Sequence, residues 1–388
     1  MSRIFTSPRF SALVAATLFG RLHYYLIALV ISNYLAQFMG DIALGWVIAG
    51  ASVVVAASLS FFPAIFTRFG TSRVLVALTV GEAAAVVGLF ASESAAVAAF
   101  FFAVQGIFAY NIFLGIDLLL ESQSADEETG RLRGMFLVVS NTAVLAASLA
   151  LSGILYDGNF GSVFLVALAL LVPFLALVAF FLPPISNPIA TLRESFSQSL
   201  GGIVHRPSLL PVLAGHFLVL LFFTWEIYYI PLYLREHIGF SWQIISALFA
   251  ISVLPYIFFE YTLGKIADTY LGEKEMTIAG FVIVSVGVAA FSFAEFVPVM
   301  LWAALIFIAN IGGAAVEVMT ETHFFKRVSA MDANLIGIYQ MLRPISAVVG
   351  PIVASLALLL VPFPFIFAVF GAILALGIPI TFLMKDTR

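Results

Sequence analysis

Arg21, Tyr24 and Tyr25 stand at i, i+3 and i+4 in an apolar stretch with His23 among them, so a guanidinium and two phenols share one helix face. Arg21 lies about ten residues, or roughly 15 Å, into that stretch, near the middle of a bilayer. A cation there suits an anionic ligand group, because guanidinium offers paired donors to carboxylate or phosphate. A neighbouring acid or carbonyl that neutralises it is the other reading. A second stretch holds His216, Trp225, Glu226, Tyr228 and Tyr229 before Pro231. Glu226 is the candidate proton carrier, since withdrawal from water disfavours the charged form of an acid. A static ion pair, or an acid reaching the outer surface, fits the same pattern, and His216 reads as a packed core histidine. Two matched stripes follow: Gly106, Tyr110, Phe113, Asp117 and Glu121, and Asn310, Gly313, Glu317 and Glu321. Their spacing of three, four or seven gives two further helices a polar face. Arg343, with Tyr339 and Gln340 a turn earlier and Pro344 after it, is a buried cation whose candidate partners are Asp117, Glu260 and Glu317. Glu82 reads as a structural hydrogen-bonding acid.

Catalysis is not expected. The five histidines, at 23, 205, 216, 237 and 323, are scattered, and no Asp-rich box, Ser/His dyad or G-x-x-x-x-G-K-[ST] loop is present. Zero cysteines exclude disulfides, thiolate metal sites and thiol chemistry. No cofactor or metal is expected, and a net charge of −4 offers no basic field for nucleic acid.

The elements that carry these residues must lie in lipid. Of 388 residues, 63% are hydrophobic and 10% charged, with a mean hydropathy of +1.13, too few charges to clothe soluble domains. Hydrocarbon about 30 Å thick needs roughly 20 apolar residues per helix. Twelve such stretches occur: Ser11–Phe38, Ile42–Phe66, Val74–Phe90, Ala95–Leu120, Met135–Tyr156, Val163–Leu182, Leu209–Leu234, Ile244–Leu263, Met276–Ala294, Val297–Phe324, Leu335–Leu360 and Phe365–Met384. The expected fold is all-α and integral to the membrane, with six-helix halves at 1–183 and 209–388 joined by a cytoplasmic linker, 184–208. Ile189, Leu192, Phe196, Leu200 and Ile203 recur in the linker at helical spacing, which fits a surface-lying helix and equally a solvated loop. With both termini inside, fourteen Lys and Arg fall on the cytoplasmic side and only Arg235 outside, the asymmetry that orients spans in a cell membrane.

Shifting the chain by about 200 residues superposes its halves, as in duplicated transporter folds. Gly70 falls on Gly272, Pro63-Ala-Ile-Phe-Thr67 on Gly264-Lys-Ile-Ala-Asp268, and Asp117-x-x-x-Glu121 on Glu317-x-x-x-Glu321. The stretch Gly264-Lys-Ile-Ala-Asp268…Gly272-Glu-Lys274 resembles the loop signature G-x-L-A-D-R-x-G-R of the major facilitator superfamily, and Arg131-Leu-Arg133-Gly134 resembles its R-G turn. The copies depart from that pattern: Pro63 and Thr67 replace the usual Gly and Asp in the first, which keeps Arg68, Gly70 and Arg73. Thr269 replaces the usual Arg in the second. The G-P-x-x-G-G run of drug:proton antiporters is missing from the fifth span, and Gly350-Pro351 occurs in the eleventh instead.

The resemblance implies twelve spans in two halves and alternating access, with the first, fourth, seventh and tenth spans lining a central cavity. On that geometry Arg21, Tyr24, Tyr25, Tyr110, Tyr229 and Asn310 are expected at the substrate and Glu226 at the coupling proton. Arg68, Asp117, Asp268, Glu317 and Arg343 are expected at an inner gate. The function expected is secondary or facilitative transport of a small organic solute by a monomer, with protons as the candidate coupling ion. Multidrug efflux and a non-transporting receptor or scaffold on the same fold are the alternatives.

Overall fold

The computed structural model describes residues 8–123, 129–156, 158–182, 206–266, 272–328 and 333–384; side chains at 121–123, 129–134, 260–261, 264–266, 333–334 and 336–337 are left aside. Helices account for 89% of the structure and strands for none among the described residues. In lipid, backbone N–H and C=O groups find no water, and a helix satisfies them within one segment. The first half contains α1 (Pro8–Ala28), α2 (Ile31–Ala36), α3 (Asp41–Phe69), α4 (Thr71–Phe90), α5 (Ala95–Gln123), α6 (Thr129–Ile154) and α7 (Phe160–Phe180). The second contains α8 (Leu210–Leu232), α9 (Trp242–Ile266), α10 (Glu273–Ala290), α11 (Val299–Arg327), α12 (Ala333–Leu358), α13 (Ile366–Ala375) and α14 (Gly377–Phe382). Among the described residues twelve spans are long and apolar enough to cross a membrane, and they coincide with the twelve stretches found in the sequence. α1 and α2 make one span, Pro8–Ala36, interrupted near Leu29, and α13 and α14 share the last, Phe363–Phe382. Pro231 sits near the end of α8, and the next residues, Tyr233–His237, widen into a π-helical turn.

The chain forms two compact units. In the first, comprising 1–40, 50–190 and 241–247, α1 packs on α5, α6 and α7, and α4 on α5 and α7. Leu13, Phe66, Leu75, Ile112, Phe174 and Val178 are buried in its core. In the second, comprising 41–49, 191–240 and 248–388, α10 packs on α11 and α13, and α8 on α11 and α12. Its helices approach through small residues: a Cβ on Gly312 would meet Val284 and the Gly280 carbonyl, and one on Gly287 would meet Ala309. The first turns of α3 belong to this unit, where Gly45 lies against Ser355, Tyr229 and the Pro351 carbonyl. Most of the linker expected at 184–208 lies outside the described residues, which resume at Arg206.

The repeat is visible at the helix starts. α4 begins after Gly70 at φ 86° and α10 after Gly272 at φ 100°, a backbone region open to glycine. Two residues on, Ser72 Oγ donates to the Leu182 carbonyl at 2.9 Å and Lys274 Nζ to the Phe382 carbonyl at 2.9 Å. Each half thus ties its third span to the end of its sixth.

Candidate functional site

In the first unit, the Arg21 guanidinium lies 3.9 Å from the Phe113 ring centroid. Tyr24 packs edge-on against Phe113 at 5.1 Å and against Tyr110 at 5.9 Å, and its hydroxyl donates to that of Tyr110 at 3.3 Å. Tyr25 stands edge-on to Tyr24 at 5.3 Å. One turn of α1 and one of α5 thus build an aromatic box around a cation. Arg21 Nε is enclosed without an acceptor, and no ion pair to this guanidinium occurs among the described residues. Such a cation attracts an acid or a planar anion.

Sequence reasoning did not join three residues beside this box. His23 Nδ1 lies 2.8 Å from the Ala167 carbonyl on α7, and Nε2 lies 2.8 Å from Glu82 Oε1 on α4. Gln105 Nε2 on α5 donates to the same Oε1 at 2.8 Å. His23 is 2% exposed and Glu82 0%. The available signal was a histidine next to Arg21 and an acid in an apolar span, but the two are 59 residues apart.

In the second unit, Asn310 Nδ2 on α11 donates to Glu226 Oε1 on α8 at 2.7 Å, and Tyr256 OH donates to Asn310 Oδ1 at 3.0 Å. Ser252 also reaches the Glu226 carboxyl. The acid faces a narrow crevice walled by Ile230, Leu248, Phe249 and Ile306.

The remaining candidates are spread out. Tyr229 is fully buried, with its hydroxyl 3.5 Å from the Pro351 carbonyl and its ring against Phe370. Glu317 meets Arg343 at 3.6 Å. The Arg343 side chain, expected to be buried, is 61% exposed against 20% for Glu317, because its long stem carries the guanidinium clear of the helix packing. Asp117 is an exposed residue between buried neighbours on α5, and Arg68, also exposed, faces the Phe69 ring at 5.2 Å. Asp268 lies outside the described residues. His216 Nδ1 is within hydrogen-bond distance of Thr320 (3.0 Å) and Tyr339 (3.1 Å), and its ring stacks on Tyr339 at 4.2 Å, which is the packed environment expected of it. No metal-holding group of His, Asp or Glu occurs among the described residues.

Twelve apolar spans among the described residues, with polar clusters within each unit, define a multi-pass membrane protein. The chain belongs to the Major Facilitator Superfamily, whose family model matches residues 13–322. No curated protein sequence matches it. Among solved structures it is similar to the human organic anion transporter MFSD10 (TETRAN), with 14% identity, a TM-score of 0.67 and coverage of 98% of this chain and 100% of that one. It is also similar to the nucleoside transporter NupG, with 14% identity, a TM-score of 0.74 and coverage of 96% and 99%. At that identity the likeness is one of fold. Membership supports membrane transport, with a small molecule as substrate.

Proposed function

We propose that this transporter carries a small organic solute with an anionic group by alternating access, as a monomer in the cell membrane with both termini cytoplasmic. Its two halves are 1–183 and 209–388, joined by 184–208. Arg21 receives the anionic group, and Tyr24, Tyr25 and Tyr110 contact the organic body. The observation that carries this reading is the Arg21 guanidinium, stacked on Phe113 and enclosed at Nε without an acceptor. An ionised group in lipid normally has a partner or faces a cavity, and a substrate anion would complete this one. Glu226 takes up a coupling proton in its narrow crevice, and the Asn310 amide supports the carboxylate once that proton has left. The Glu317 and Arg343 pair, with Arg68, Asp117 and Asp268, forms the inner gate.

A thermal-shift screen of the purified protein tests the substrate class. Matched organic carboxylates, amines and neutral solutes are compared on wild type and Arg21→Gln. A bound ligand at 100 times its Kd stabilises the folded state by about 2.7 kcal/mol, enough to read as a raised Tm. Carboxylates are expected to raise the wild-type Tm and to lose that effect in Arg21→Gln. Equal shifts in both proteins, or a response to amines alone, would remove Arg21 from the substrate site.

A further inference from the structure

The aromatic box around Arg21 is more specialised than the binding of an anion requires. By the offset that sets Glu226 on Tyr25, Arg21 falls on Phe222 of the second unit, a buried phenylalanine, so the fold itself asks for no cation at this level. Tyr24 meets Phe113, Tyr110 and Tyr25 at interplanar angles of 83°, 88° and 70°, and Tyr110 meets Phe113 at 65°. Rings crossed in this way present both faces, which are partly negative, and edges, which are partly positive. All four are only partly buried, so each keeps surface for a further ring. An aromatic guest can set its edge on a face and its face on an edge. A saturated guest gains contact area alone.

The polar groups are few and their partners are known. Arg21 Nε has no acceptor, and the guanidinium makes no ion pair among the described residues. The Tyr24 hydroxyl spends its hydrogen on the Tyr110 oxygen, which leaves the Tyr110 hydrogen for another acceptor, and no described residue takes it. A hydroxyl that accepts one hydrogen bond is polarised into a better donor of the next. His23 has none to offer, because the Ala167 carbonyl and Glu82 engage both its ring nitrogens. Charge is scarcer still. Arg9, the other arginine of α1, is twelve residues, about 18 Å of helix, from Arg21, and Arg68 and Arg73 stand exposed at the ends of α3 and α4. Two acids lie nearer: Glu82, bonded to His23, and Asp117, one turn of α5 beyond Phe113. A second anionic group on the ligand would meet an acid where it needs a cation.

We propose that the solute is an aromatic monocarboxylate, whose carboxylate accepts from the Arg21 guanidinium and from the Tyr110 hydroxyl while its ring enters among Tyr24, Tyr25 and Phe113. The proposal rests on the assignment of Arg21 to the substrate and narrows it in three respects: the body is aromatic, the charge is single, and Tyr110 is a second donor to it. Tyr110 keeps its ring against the guest and gives its hydrogen to the charge, the stronger kind of hydrogen bond. Phe113, under the guanidinium at 3.9 Å, holds that cation at the edge of the box, where it meets the carboxylate and leaves the rings to the body.

Calorimetric titration of the whole protein in detergent at neutral pH tests it with two matched pairs of probes. Benzoate and cyclohexanecarboxylate carry one charge on rings of similar size, and the saturated ring is the more apolar, so a site that merely shelters hydrocarbon prefers cyclohexanecarboxylate. Benzoate is expected to bind more tightly by about 2- to 12-fold, the worth of an edge-to-face pair. Terephthalate and 4-carbamoylbenzoate differ only in a carboxylate for an amide, and the dianion is expected to bind on the order of tenfold more weakly. Tyr110→Phe removes the hydroxyl and keeps the ring. It is expected to weaken benzoate by roughly tenfold or more and to leave benzoate ahead of cyclohexanecarboxylate. Equal or tighter binding of cyclohexanecarboxylate, terephthalate binding as well as its amide, or an unchanged benzoate Kd in Tyr110→Phe each overturns the proposal. In those cases loss of probe binding in Arg21→Gln leaves the anionic substrate standing, whereas a wild type that binds none of the carboxylates sinks both readings. Should Tyr110→Phe not fold, the two comparisons on wild type decide.

Discussion

At the scale of the residue, each functional group owes its character to a partner that its own segment does not supply. Glu226 was recognisable as an acid in lipid, but its donor Asn310 is 84 residues away and its crevice comes from α9 and α11. Asn310 serves both sides, donating to Glu226 and accepting from Tyr256. Asn310→Leu should therefore strand a buried carboxyl and a phenol together, lowering stability by about 2–3 kcal/mol, read as a loss of Tm. A Tm equal to wild type would mean that water replaces the amide at no cost. Proton-driven uptake separates the roles of the acid itself. Glu226→Gln should abolish accumulation driven by a pH gradient and preserve counterflow exchange, because exchange need not return an empty deprotonated carrier. Unimpaired gradient-driven uptake by that variant would leave Glu226 a static acid. Arg21 and Tyr24 were legible as one helix face, whereas Phe113, the ring under the guanidinium, was visible only as part of a stripe on another span.

At the scale of the element, length and apolarity located the helices, and small residues decided how closely they approach. Gly45 and Gly50 both lie in α3 and look alike in sequence. Gly45 is clamped between Ser355, Tyr229 and the Pro351 carbonyl, while nothing lies within 4 Å of a Cβ built on Gly50. Gly45→Val should push α3 off α12, at about 1–3 kcal/mol, and Gly50→Val should change the Tm little. Equal losses from the two would show that helix propensity, not the contact, governs both sites. The helix starts are another case. Gly70 and Gly272 were matched by the repeat, and their shared positive φ is the physical reason for the match. The ties from Ser72 to Leu182 and from Lys274 to Phe382 use unlike side chains for one purpose, so comparing residue types across the halves did not disclose them.

At the scale of the whole molecule, the lopsided distribution of Lys and Arg leads to a topology that can be checked on intact cells. The chain has no cysteine, so single cysteines report cleanly. An impermeant thiol reagent added outside should label Glu93→Cys and spare Thr67→Cys, both at exposed positions at the ends of spans; the reverse pattern would invert the orientation. Sequence by itself determined the solvent, the twelve spans, the duplicated plan and the family, because hydropathy, charge bias and repeat spacing are properties of segments and survive without knowledge of contacts. It also marked the acids and cations that lipid makes costly. Tertiary structure alone decided which of them meet. Glu82, read as a structural hydrogen-bonding acid, finds its partners in His23 and Gln105 on two other helices, while Arg343, read as buried, carries its guanidinium clear of the bundle. The reason is that a hydrogen bond or ion pair requires atoms within about 3–4 Å, and helices brought together from distant parts of the chain set that distance through packing that no single segment encodes.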